Sequence, residues 1–165
     1  MTLRGLLAWL MLAASIAAHA DELADVRRLA AAGELERALG VARAAPAPRA
    51  PALRFAEGVI LMDLKRDGEA AAVFQALAQE HPELPEPHNN LALLHARAGR
   101  LEAARLALET ALRNEPSNGT ARLNLGHVHL QLAIQAWERA ALGRPDDAAL
   151  KRRLELAREL AASAR

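Results

Sequence analysis

Apolar residues recur along the chain at the three- and four-residue spacing of amphipathic helices. Ala70, Phe74 and Leu77 mark one such stripe, Ala104, Leu108 and Ala111 a second, and Leu150, Leu154, Ala157 and Ala161 a third. β-Branched and aromatic residues are sparse, whereas the strong helix formers Ala, Leu, Arg and Glu dominate. Every element that the pattern predicts is a helix. The stripes also repeat. Gly58, Ala92 and Gly126 stand 34 residues apart, as do Leu61, His95 and His129. At the same spacing Ala70 pairs with Ala104, Phe74 with Leu108, Leu77 with Ala111 and Pro82 with Pro116. Asn90 matches Asn124, and Leu91 matches Leu125. Agreement at this many positions in one register defines a structural unit.

The physics of the unit follows from its residues. A small residue in mid-helix (Gly58, Ala92, Gly126) is tolerable where a neighbouring helix approaches closely, although Gly there costs about 1 kcal/mol. Turns follow at Lys65-Arg66-Asp67-Gly68 and Ala98-Gly99-Arg100. A second helix then brings Ala70 or Ala104 against the first, with Phe74 or Leu108 filling the gap. Pro82 and Pro116 close the units, since Pro cannot continue a helix. Such a hairpin cannot bury its apolar face alone and must stack on its neighbour.

This arrangement resembles the tetratricopeptide repeat (TPR) family in its period and in its small, Ala, bulky and Pro positions. Where members usually carry Trp and then Tyr, this chain has Arg54 and His88, then Leu61, His95 and His129. The resemblance implies an all-α fold, a right-handed superhelical stack of antiparallel helix hairpins with a C-terminal capping helix. The units are expected near 51–84, 85–118 and 119–145, and the cap at 146–165.

The ends depart from the period. Residues 21–45 read as a degenerate first hairpin, with Ala38 lying 32 residues before Ala70. Residues 46–51, within Ala44-Ala45-Pro46-Ala47-Pro48-Arg49-Ala50-Pro51, form a semi-rigid linker that would let this hairpin hinge. Ala133, Trp137, Ala140 and Pro145 echo Ala104, Leu108, Ala111 and Pro116, but 29 residues on. The five missing residues are those of the inter-helix turn. One long helix over residues 121–142 is therefore expected, rather than a hairpin with a tight turn near Leu132. A last helix over 147–162, capped by Asp146 or Asp147, would fold back on it.

Residues 1–20 have the form of a secretory signal: Arg4, then an apolar run from Leu6 to Leu12, then Ala18-His19-Ala20. Asp21 and Glu22 begin the expected mature chain, which leaves no membrane span after cleavage. Arg outnumbers Lys 19 to 2, a bias of GC-rich bacterial genomes, so the expected location is a bacterial periplasm. The chain has 165 residues and a net charge of +1, which removes the easiest case for binding nucleic acid or anionic membrane, since both need a concentrated basic surface, and neither is expected as a partner. It has no Cys, hence no disulfide, thiol nucleophile or lipidated Cys.

Candidate chemistry is thin. Ser15, Ser117 and Ser163 have no neighbouring base, and carboxylates alternate with Arg as solvated pairs. His88 and His95 are seven apart and His127 and His129 two apart, neither of which is a helical zinc spacing. No catalytic residue, metal or cofactor is expected. In TPR proteins the first helices line a concave groove, and Asn90 and Asn124 resemble the asparagine ladder with which some members hold a peptide backbone. A carboxamide suits that task because it offers both donor and acceptor. By register the groove adds Phe55, Val59 and Met62 from one unit, then Glu86, Asn89, Leu93 and Arg97, then His127, Leu130 and Gln131. The basic positions of the family's carboxylate clamp are absent, since Ala52, Phe55, Thr120 and Asn124 occupy them.

The expected function is a non-catalytic adaptor or scaffold that binds an extended peptide or partner protein, with a role in envelope assembly. The alternatives are a cytochrome-maturation factor holding an apoprotein tail, and a self-assembling subunit that forms a homo-oligomer through its C-terminal helices.

Overall fold

The computed structural model describes residues 22–163, so the expected signal at 1–20 lies outside the described residues. Helices span residues 22–31 (α1), Leu35–Ala44 (α2), Pro51–Asp63 (α3) and Asp67–Glu80 (α4), and there is no strand among the described residues. They continue over Pro85–Arg97 (α5), Leu101–Asn114 (α6), Gly119–Leu142 (α7) and Ala148–Ser163 (α8). Pro51 and Pro85 open α3 and α5, where the missing N–H would have had no intrahelical partner. Asn118 accepts from the Ala121 N–H, and Asp147 from the Leu150 N–H, each at 2.9 Å, which caps α7 and α8.

The turns after α1, α3 and α5 share one backbone device. Gly33, Lys65 and Gly99 are left-handed, with φ of 77°, 60° and 71°. The following N–H groups, of Glu34, Arg66 and Arg100, reach back to the carbonyls of Leu29, Leu61 and His95 at 2.9, 2.8 and 2.9 Å. This closes each helix in a Schellman motif. Ala133 is the residue 34 beyond Gly99, and it lies inside α7 with no such turn. The 24 residues of α7 therefore run on as one helix, about 36 Å long.

The described residues divide into two compact units, unit 1 ending at His81 and unit 2 beginning at Pro82. In unit 1, Leu53, Leu61, Phe74 and Leu77 are fully buried. A Cβ on Gly58 would lie 2.6 Å from the Phe74 ring, so glycine here is what lets α4 press an aromatic ring onto α3. Phe55 packs on the same ring, with centroids 5.5 Å apart and a tilt of 56°.

The first hairpin and the linker meet α3 at a buried carboxylate. Glu57, 4% exposed, accepts from Arg43 of α2 at 2.9 Å and from Arg49 of the linker at 2.6 Å. Arg43 also reaches Glu69 at 3.0 Å. Arg66, and next Arg43, hold the Glu69 carboxyl down to about 2. Where the family carries Trp, Arg54 of α3 pairs instead with Glu80 at the end of α4.

In unit 2, Ala92, Leu101, Ala104, Leu108, Ala111, Ala121 and Val128 form the core, with Leu125 and Leu132 packed against it. Leu150, Leu154 and Ala157 turn α8 inward, and Arg158 donates to Glu138 at 2.7 Å, which ties α8 to α7. The close approach expected at every mid-helix small residue occurs at Gly58 but not at Gly126, where a Cβ would meet no side chain and no neighbouring helix within 4 Å. Its hairpin partner was never formed, because α7 does not turn. Among the described residues no helix is long and apolar enough to cross a membrane.

Candidate functional site

Helical spacing puts Leu93 and Arg97 on one face of α5, and Asn124, His127 and Gln131 on one face of α7. These faces meet in unit 2. With Ala92, Ala96, Leu108 and Val128 they line an open cleft of about 370 Å³, at the small end of the range for ligand sites. The lining is apolar at the bottom of the hairpin, where Leu108 of α6 enters, and carries carboxamide, imidazole and guanidinium groups on the two facing helices.

The two register-equivalent asparagines behave differently. Asn124 donates from Nδ2 to Asn89 Oδ1 at 2.9 Å, joining α7 to α5 beside the cleft. Asn90 donates from Nδ2 to the Glu86 carbonyl of its own helix at 2.9 Å and does not line the cleft. The equivalence therefore supplies one carboxamide at the cleft, with Asn89 bracing it. Gln131, rather than Asn90, is the second carboxamide. Leu130 and Glu86 do not line the cleft either. Phe55, Val59 and Met62 belong to unit 1, where Phe55 packs on Phe74, Val59 is half-buried and Met62 is buried in the core.

The histidines have separate surroundings. His127 lines the cleft and His129 is exposed. His95 accepts at Nδ1 from Arg100 Nε at 3.2 Å across the α5–α6 turn. Among the described residues no three His, Asp or Glu side chains come together as metal ligands.

Burial, and next the Arg100 guanidinium, hold the His95 imidazole below its ordinary value of 6.5. A folded-state value below the unfolded one means that the unfolded chain binds the proton more readily. The stabilisation is complete above the unfolded pKa and is lost as pH falls through that value toward the folded one. Urea midpoints are expected to decrease from about pH 7.5 to about pH 5.5 as His95 begins to protonate. His95→Gln should flatten that slope, and an unchanged slope would remove His95 as its source.

A helix-hairpin array with a cleft between its first helices defines the class of helical repeat scaffolds. The tetratricopeptide repeat model matches residues 17–85 and 89–149, and the chain belongs to the tetratricopeptide repeat family. That fold serves protein–protein interaction and is not in general catalytic. None of the curated proteins matches the chain. Among solved structures, the first TPR of Spaghetti (RPAP3) bound to the HSP90 peptide SRMEEVD is similar at TM-score 0.65 and 17% identity, over 70% of this chain and 93% of that one. A tetratricopeptide repeat protein from Parabacteroides merdae is similar at TM-score 0.63 and 20% identity, over 86% and 60%. MamA is similar at 0.57 and 15%, over 86% and 81%. At these identities the likeness is one of fold.

Proposed function

We propose that the protein is a non-catalytic periplasmic adaptor that holds an extended segment of a partner protein in the unit 2 cleft during envelope assembly. The observation that carries this reading is the convergence of Leu93, Arg97, Asn124, His127 and Gln131 on one cleft. An extended backbone presents unpaired N–H and C=O groups, and the carboxamides of Asn124 and Gln131 can meet either kind. The apolar lining from Ala92, Ala96 and Val128 suits one small aliphatic side chain of the same segment. Residues 1–20 support the location by their charged, apolar and small-residue order.

The test is a crosslinked pull-down from the native envelope with residues 21–165, beside an Asn124→Ala/Gln131→Ala variant whose melting shows that it is folded. The proposal expects a partner captured by the parent chain and reduced about tenfold with the variant, as for loss of two central hydrogen bonds. Equal capture would remove the cleft as the working surface.

A further inference from the structure

The chain builds one helix interface in cis and leaves the same interface open elsewhere. In unit 1 the Phe74 ring of α4 lies on Gly58 of α3, filling the space that a Cβ would take. Gly126 of α7 holds the same place in the 34-residue register, and a Cβ built there would meet no side chain and no neighbouring helix within 4 Å. Beside it Leu123 is 62% exposed. The face is that of a first helix whose second helix is absent.

The residues that should fill it are present in the sequence. Ala133, Trp137 and Ala140 repeat the small–bulky–small order of Ala104, Leu108 and Ala111. They lie on α7 itself, because that helix runs straight through. Trp137 is eleven residues from Gly126, about 16 Å along the same axis, so it cannot reach the notch in its own chain. α8 leaves this side of α7 open, since Ala136 and Ala140 are exposed and Trp137 is only partly buried.

We propose that two copies of the chain pair through antiparallel α7 helices, each laying Trp137 over the Gly126 of the other. One two-fold axis satisfies both notches at once, as an isologous contact requires. With residue 126 opposite 137, residue 130 faces 133, 123 faces 140 and 122 faces 141. Leu123 then meets Ala140, and Arg122 meets Ala141, so no like charges are opposed. The contact continues in trans the helix pairing that α3 and α4 make in cis. A single helix pair buries little area, so the dimer is reversible and concentration-dependent. The contact uses a face of α7 distinct from the cleft residues Asn124, His127 and Gln131, so it stands independently of the adaptor reading.

Sedimentation equilibrium of the full chain from about 5 to about 500 μM tests this, a span that covers weak dimers. The mass should double across the range. Trp137→Ala and Gly126→Gln should each raise the dissociation constant at least about tenfold, as loss of an interface anchor does. Gly126→Gln adds a side chain in open space and replaces a helix-interior glycine, so the monomer should melt no lower. The chain has no cysteine, which permits a covalent test with Leu123→Cys/Ala140→Cys. Those positions lie about 25 Å apart on one helix, too far to bridge within a chain. Oxidation should give a disulfide dimer from the double variant and from neither single one. A chain that stays monomeric, a dimer indifferent to both Trp137→Ala and Gly126→Gln, or a double variant that does not crosslink would overturn the pairing.

Discussion

Phe74→Ala is expected to destabilise unit 1 by about 3–5 kcal/mol, in the range for emptying a buried aromatic site. Phe74 is fully buried, its ring occupies the space over Gly58, and Phe55 packs on it. The converse substitution tests the same contact from the other side. Gly58→Ala should gain about 1 kcal/mol in helix propensity, but the new Cβ would stand 2.6 Å from ring atoms that have no open side to move into. Overpacking of that kind costs about 1–3 kcal/mol, so the net effect is destabilising. In the Phe74→Ala background the ring is gone, and Gly58→Ala should become stabilising. Urea unfolding of the four proteins measures this sign reversal. Gly58→Ala stabilising in both backgrounds would contradict the close approach.

The second large effect is expected at Glu57. Its side chain is 5% exposed, whereas Arg43 and Arg49 are 41% and 29% exposed. Removing a carboxylate that pairs two arginines costs about 3–5 kcal/mol when all partners are buried. The exposure of both arginines reduces this, and about 2 kcal/mol is expected for Glu57→Ala. The loss should localise to the α2–α3 junction, so trypsin should cut after Arg43 and Arg49 faster in the variant. Glu57→Leu combined with Arg43→Met and Arg49→Met should recover most of the stability, because an apolar replacement leaves no unpaired charge. Cleavage unchanged in Glu57→Ala would mean that the first hairpin is held by apolar packing alone.

The hairpins were legible because their determinants are local. The period carried Gly58, Phe74, Pro82 and Pro116 into place, and the missing turn before Ala133 announced the single α7 helix. The cap at Asp147, one of the two aspartates expected there, followed from residue type and position. Glu57 was harder to read, since its partners come from the preceding hairpin and linker. A signal did exist, because Glu57 stands where the next two units have Leu91 and Leu125. Part of the cleft followed from the family resemblance carried along the register: Leu93, Arg97, Asn124, His127 and Gln131. Asn90 did not, because its side chain turns back to the Glu86 carbonyl, a local choice that no spacing encodes. Met62 did not either, since a residue in the groove register can still be drawn into the core.

The most direct test of the adaptor reading is photo-crosslinking in the native envelope from two positions of unit 2. A photoreactive side chain at Leu93 lies in the cleft, and one at Leu106 lies on an exposed part of α6, outside the cleft. Partner binding in the cleft predicts a discrete heavier adduct from position 93 and none from position 106. Adducts of equal yield from both, or from position 106 alone, would contradict it.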